Sequence, residues 1–106
     1  MISNTPPPPY YAVIFSSVRT SDTDGYAETN VLMNKLALQQ DGFLGMESGQ
    51  SELGITVSYW RDLKSIKHWK DDLDHQDAQI KGQKNWYSHY KVRIAKVERD
   101  YTFIKK

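Results

Sequence analysis

The stretch Ile55-Thr56-Val57-Ser58-Tyr59-Trp60 decides the fold. Ile55, Val57 and Tyr59 alternate with Thr56, Ser58 and Trp60, the period of a strand rich in β-branched and aromatic side chains. Just upstream, Phe43 to Gln50 reads as a weaker strand. Its Gly45 and Gly49 signal a bulge or the close approach of another group, since no side chain stands in the way there. Ser51-Glu52-Leu53-Gly54 supplies the turn, and the two strands form a hairpin.

Helical periodicity flanks this hairpin on both sides. Upstream, the run Thr20-Ser21-Asp22-Thr23-Asp24-Gly25 offers Asp22, Thr23 or Asp24 as an N-cap. The helix predicted from there covers about Gly25 to Gln40, with Tyr26, Thr29, Met33, Leu36 and Ala37 on one stripe. Asp41-Gly42 ends it, and Gly42 suits the left-handed position that follows a helix. Downstream, Asp62 caps a second helix whose Leu63, Ile66, Trp69 and Leu73 share one face. Lys64, Lys67, Lys70, Asp71 and Asp74 form its solvent face, and His75 to Gly82 can continue it after a break near Leu73-Asp74.

The outer segments complete the pattern. Tyr10 to Arg19 reads as a first strand, apolar on both faces, with Tyr11, Val13 and Phe15 alternating with Ala12, Ile14 and Ser16. Tyr90 to Ile104 reads as the last strand, Val92 and Ile94 on one face and Ala95 and Val97 on the other. Gln83 to His89 connects it to the second helix and carries Trp86 and Tyr87. Residues 1–9 end in consecutive prolines, which favour an extended tail leading into the first strand over a packed element. A Pro-rich docking ligand is the competing reading of that tail.

The order strand, helix, strand, strand, helix, strand predicts an α+β domain over residues 10–106, a ferredoxin-like βαββαβ unit with an antiparallel sheet. Helices cover one face of such a sheet. Since neither face of the first or last strand reads as fully polar, a second copy packing sheet to sheet is expected, giving a homodimer. A last strand of about 15 residues exceeds the usual length and suggests a reach across to that partner. Any active site is then expected on the helix-covered face.

Bulk properties narrow the functional classes. At 106 residues with a formal net charge of +1, the chain has room for one ordinary core and no electrostatic footprint for nucleic acid. With no cysteine, disulfides, thiolate metal sites and a cysteine nucleophile are excluded. No apolar run approaches the roughly 20 residues that span a bilayer, so no membrane partner and a cytoplasmic location are expected. Phosphate loops, nucleophile elbows and zinc-helix motifs are absent from the sequence.

The densest chemistry-bearing group is Trp60, His68-Trp69, His75, Trp86-Tyr87 and His89. His68 points about 100° away from Trp69 on a helix and is expected at the surface if Trp69 is inward. His75 reads as a general base or axial ligand if the helix breaks, and otherwise as a capping or hydrogen-bonding residue. Trp69 reads as core or as a site residue. Asp71, Asp72, Asp74 and His75 resemble a metal cluster by composition, yet pairs such as Lys67 to Asp71 at i,i+4 make a solvated face the plainer account, and no metal is assigned. Tyr59, Trp60 and Arg61 stand at a strand end, where Arg61 suits a carboxylate, and Trp86 with Tyr87 either closes a pocket or staples the last strand to the helices.

These residues resemble those of the antibiotic biosynthesis monooxygenase family. The likeness runs from Tyr10 to Phe103 and rests on Gly42-Phe43, Tyr59-Trp60, Trp69 and His75 in that order, with Tyr10 to Phe15 and Trp86-Tyr87 around them. It implies a dimeric α+β barrel and oxygenation of a small aromatic or quinone-like substrate with no metal or flavin cofactor. In that scheme an acidic phenol is held and deprotonated, and its anion reacts with oxygen. The resemblance implies His75 as base and Trp69 as its catalytic neighbour, Trp69 and Trp86 as pocket walls, and Tyr59 or Arg61 as steering groups. A related branch degrades haem with a first-strand asparagine, a tryptophan on the second helix and a histidine about three turns farther on. This chain matches at Trp69 but carries Ser16 or Ser17 in the first strand and Gln79 in the helix, so haem breakdown is disfavoured. A non-catalytic, dimeric small-molecule-binding or stress-associated protein remains the alternative.

Overall fold

Six elements follow one another: β1 (Tyr10–Arg19), α1 (Tyr26–Leu38), β2 (Phe43–Gln50), β3 (Gly54–Trp60), α2 (Leu63–Asp77) and β4 (Tyr87–Val97). They are seen in a computed structural model in which residues 1–77 and 86–106 are described, the side chains of residues 75–77 excepted. The strands form one antiparallel sheet in the order β2-β3-β1-β4, so the expected ferredoxin-like βαββαβ layout is the one observed.

Register divides the side chains between two faces. Tyr11 pairs with Trp60, Val13 with Ser58 and Ile94, and Phe15 with Thr56 and Val92, which places all of these on one face. That face carries the helices, because Trp60, Tyr11 and Val13 pack with Ala37 of α1 and with Ile66 and Trp69 of α2 in one apolar core. The other face, free of helices, presents Ala12, Ile14, Ile55, Val57 and Tyr59 on its central strands. Its β4 portion bears exposed His89, Lys91 and Arg93, so that strand is more polar there than its sequence suggested.

The helix stripes follow the sequence periodicity. Thr29 and Ala37 are buried and Tyr26, Met33 and Leu36 partly so. On α2, Ile66 and Trp69 are buried and Leu73 partly so, while Leu63 stays exposed because it sits in the first turn, beyond the reach of the core. Asp62 caps α2 by accepting a hydrogen bond from the Ser65 amide at 2.7 Å.

Three boundaries differ from expectation. The residue capping α1 is Gly25 in the left-handed conformation, with no side-chain cap, because the Asp22 carboxylate instead accepts from the Asp24 amide at 3.0 Å in its own turn. α2 runs through Leu73-Asp74 to Asp77 without the break, helped by the Lys70–Asp74 pair at 2.8 Å. β4 begins at Tyr87 and ends at Val97, so residues 98–106 are not strand and the reach toward a partner falls to an irregular segment.

Both chain ends return to the sheet. The Ser3 amide donates to Glu47 Oε2 and its hydroxyl to the Met46 carbonyl, each at 2.9 Å. A Cβ on Gly45 would lie 2.9 Å from the Ser3 Cβ, so the close approach that this glycine signalled is made by the N-terminal segment. Its strand is also bulged, the register with β3 shifting between Phe43 and Gly45. Among the described residues no helix is long and apolar enough to cross a membrane.

Candidate functional site

The residues singled out by sequence fall into separate places. Trp60 is fully buried and donates its Nε1 proton to Ser58 Oγ at 2.9 Å. Trp69 stacks on it, with ring centroids 5.9 Å apart, in the core between α2 and the sheet. Tyr59, one residue earlier, faces the opposite side, where its hydroxyl donates to Glu47 Oε1 and its ring meets the edge of Tyr10. That bond, with the Ser3 amide, holds the Glu47 carboxyl below its ordinary range.

Arg61 lies outside the core at the turn from β3 to α2. Its fork grips Asp41 at 3.1 and 3.2 Å and its Nε reaches Asp62 at 3.2 Å, all in exposed surroundings. Asp62 itself is held down to about 2 by hydrogen bonds from the Ser65 hydroxyl and amide. His68 is exposed, as expected, 3.5 Å from Gln40 Oε1. Lys67 pairs with Asp71 at 3.2 Å as the i,i+4 spacing anticipated. The side chain of His75, the base candidate, lies outside the described residues, as does Gln79; the α2 backbone at His75 is helical.

Trp86 and Tyr87 do come together, with partners that the sequence reading left out. Trp86 is buried and donates to the Asp24 carbonyl at 2.7 Å, tying the start of β4 to the start of α1. Its ring meets Tyr26 edge-on at 5.4 Å, Tyr26 meets Tyr87 at 6.3 Å, and Phe15 lies 5.5 Å from Tyr87 and 5.1 Å from Tyr90. A bulge makes this grouping possible. Val18 pairs with His89 but Arg19 pairs with Tyr87, so Ser88 is an extra residue and Tyr87 turns to the helix side.

Arg19 completes the group. Its Cζ lies 3.5 Å from the centre of the Tyr26 ring, a close cation–π contact. Its Nε and Nη2 atoms are buried and have no hydrogen-bond partner among the described residues. Burial, with the phenol of Tyr26 beside it, pushes the Tyr87 hydroxyl upward, so this phenol is a proton donor at neutral pH and not a base. Next to the group, Tyr90, Val92 and Ile94 line the helix side of β4 yet are 59, 46 and 54% exposed. The end of the sheet thus offers an apolar landing strip, a wall of aromatic rings and a cation whose Nε and Nη2 are out of water.

Cavities lie elsewhere on the described residues. An open one of about 510 Å³ lies between Met1, Ser3, Leu38 and Phe43 at the β2 edge, and one of about 360 Å³ lies between Gln40, Arg61, Ser65 and His68. Neither is lined by Trp69, Trp86 or Tyr87.

The same architecture recurs among solved structures. SnoaB, a cofactor-independent oxygenase from Streptomyces nogalater, matches with a TM-score of 0.68 at 8% identity, over 86% of this chain and 95% of that one. MhuD, solved with two manganese protoporphyrin IX molecules bound per active site, matches at 0.66 and 14% over 88 and 99%. A candidate antibiotic biosynthesis monooxygenase from Nitrosomonas europaea matches at 0.61 and 14% over 89 and 94%. At these identities the likeness establishes the fold, that of the antibiotic biosynthesis monooxygenase-like proteins. No family model matches the sequence. The chain is 51% identical over 104 residues to YqjZ, an uncharacterized protein of Bacillus subtilis (strain 168), covering 96% of this chain and 91% of that one, and it belongs to the YqjZ family.

Proposed function

We propose that the chain is a cofactor-independent monooxygenase of the antibiotic biosynthesis type, acting on a small aromatic or quinol-like substrate on the helix side of the sheet. The observation that carries this reading is the aromatic group of Phe15, Tyr26, Trp86, Tyr87 and Tyr90 around the desolvated Arg19, beside an exposed apolar strip. Such a site suits a planar phenol whose ionised form is the reactive species. His75 near the end of α2 is the base in this scheme, Tyr87 a neutral hydrogen-bond donor, and Trp69 a support behind the wall. For an anthrone the balance is simple: oxygen replaces the two methylene hydrogens by one oxygen atom, and the other oxygen leaves as water. Oxygen uptake with anthrone, read alongside quinone absorbance, tests the activity. A rate no greater than the uncatalysed one removes it, and an unchanged rate in His75→Ala removes the base.

The chain acts as a homodimer in this reading. The helix-free face with Ala12, Ile14, Ile55 and Val57 has apolar central strands, and beyond Asp100 the side chains of Tyr101, Phe103 and Ile104 stand out, 90, 85 and 75% exposed. A second copy is the occupant that both features fit. The competing reading, a binding module without catalysis, draws on the packing of Trp60, Trp69 and Trp86 as structural residues. Substrate binding with no oxygen uptake decides for it.

A further inference from the structure

We infer that Arg19 is an anion-holding residue, whose guanidinium binds the carboxylate or ionised oxygen of a planar aromatic ligand seated against Tyr90, Val92 and Ile94. This rests on the helix side of the sheet being the ligand site, as proposed above, and adds to it the charge of the ligand.

Arg19 lacks an anionic partner among the described residues. A guanidinium stays charged at any ordinary pH, and buried cations are normally matched by carboxylates. None of the ion pairs among the described residues includes Arg19. One face of its plane is taken by the Tyr26 ring at 3.5 Å. The two buried atoms without partners, Nε and Nη2, form the side-on edge of the guanidinium, the pair of N–H groups that grips two oxygens of a carboxylate at once.

The surroundings match that edge to a particular ligand. The Nε and Nη2 atoms are out of reach of water, which strengthens any ion pair made there, and the rings of Phe15, Tyr26, Trp86 and Tyr87 pack together at this end of the sheet. The bulge at Ser88 aligns Arg19 with Tyr87 on the helix side, the side on which Tyr90, Val92 and Ile94 remain uncovered. A flat ring lying on that strip has its substituent directed toward Arg19. For the anion to arrive, a side chain beside Arg19 must turn, and Tyr90, 59% exposed and packed on Phe15 and Tyr87, is the ring placed to do so.

The test compares 2-naphthoate with its neutral isostere 2-naphthamide, titrated by calorimetry against the full chain and its variants. Native protein is expected to prefer the naphthoate by about tenfold or more, the scale of one charge-assisted bidentate contact. In Arg19→Gln that preference falls to near unity, while Arg19→Lys, which keeps the charge but not the fork, retains part of it. Phe15→Leu weakens both probes alike. Equal binding of the two probes by native protein, an undiminished preference in Arg19→Gln, or binding of neither up to millimolar concentration overturns the inference. Should Arg19→Gln fail to fold, Arg19→Lys decides: a preference as large as native overturns it. Naphthoate binding that depends on Arg19, with no oxygen uptake from anthrone, removes only the oxygenase reading. Oxygen uptake indifferent to Arg19, with no preference between the probes, removes only this one.

Discussion

The indole of Trp69 lies on that of Trp60, with planes 28° from parallel, so the tryptophan contributed by α2 is held by the core. Both are buried, and Ile66 and Ala37 close around them. Trp69→Ala should cost about 3–5 kcal/mol of stability, the range for deleting a buried aromatic ring, and Trp69→Phe distinctly less. Urea unfolding measures both. Activity lost in Trp69→Ala would therefore report on folding unless Trp69→Phe lost it too.

Gly42 has φ of +88°, and a Cβ placed there would lie 2.2 Å from Ser65 Oγ and 2.7 Å from its Cβ. Gly42→Ala is expected to destabilise the fold by roughly 2 kcal/mol or more, combining the left-handed penalty of about 1–2 kcal/mol with the clash against α2. Gly49, with open space around it, is the control. Similar melting temperatures for Gly42→Ala and Gly49→Ala would refute this account.

Glu47 links pH to the seating of the N-terminal segment. Its carboxyl is held below the ordinary 4.5 by the Tyr59 hydroxyl first and the Ser3 amide second. A depressed folded value means that the stabilisation is complete above the unfolded value and is lost as pH falls through the folded one. Native protein should therefore lose stability below about pH 4.5, with the Ser3 amide losing its hydrogen-exchange protection over the same interval. Glu47→Gln should flatten that acid limb, and an identical limb in both proteins would show that Glu47 does not contribute.

Removing residues 101–106 tests the proposed self-association. Asp100 accepts the Tyr10 hydroxyl at 2.6 Å, which anchors the segment to the sheet just before its exposed apolar side chains. Truncation after Asp100 should leave the fold intact and weaken the dimer at least tenfold, seen by native mass spectrometry and by sizing at micromolar concentration. A monomer before truncation, or a dimer unaffected by it, speaks against that role.

Much of the fold was legible because local signals agreed. Pro9 and Thr20 punctuate β1, Gly42 and Ser51 bound β2, and the α1 stripe from Tyr26 to Ala37 reports its buried side directly. The end of α2 was less so, since Leu73-Asp74 looks like a break while the Lys70 pair that carries the helix past it is one interaction among several equivalent spacings. For the site, alternation already separates Tyr59 from Trp60, yet their adjacency in sequence invites grouping them. Arg19 was invisible for a different reason. A single arginine closing a strand has no spacing to read, and its meaning comes from the ring of Tyr26 and from a side-on edge with no partner among the described residues.

Ser88 shows how one residue skipped by the ladder aims the end of a sheet. Its hydroxyl donates to the Val18 carbonyl at 3.2 Å, bracing the extra residue in β4. Were Ser88 itself paired with Arg19 in an even ladder, Tyr87 would turn to the opposite face. Alanine scanning would pass over such a position, because its count in the backbone matters more than its side chain. The aromatic wall thus depends on a residue that the ladder passes over.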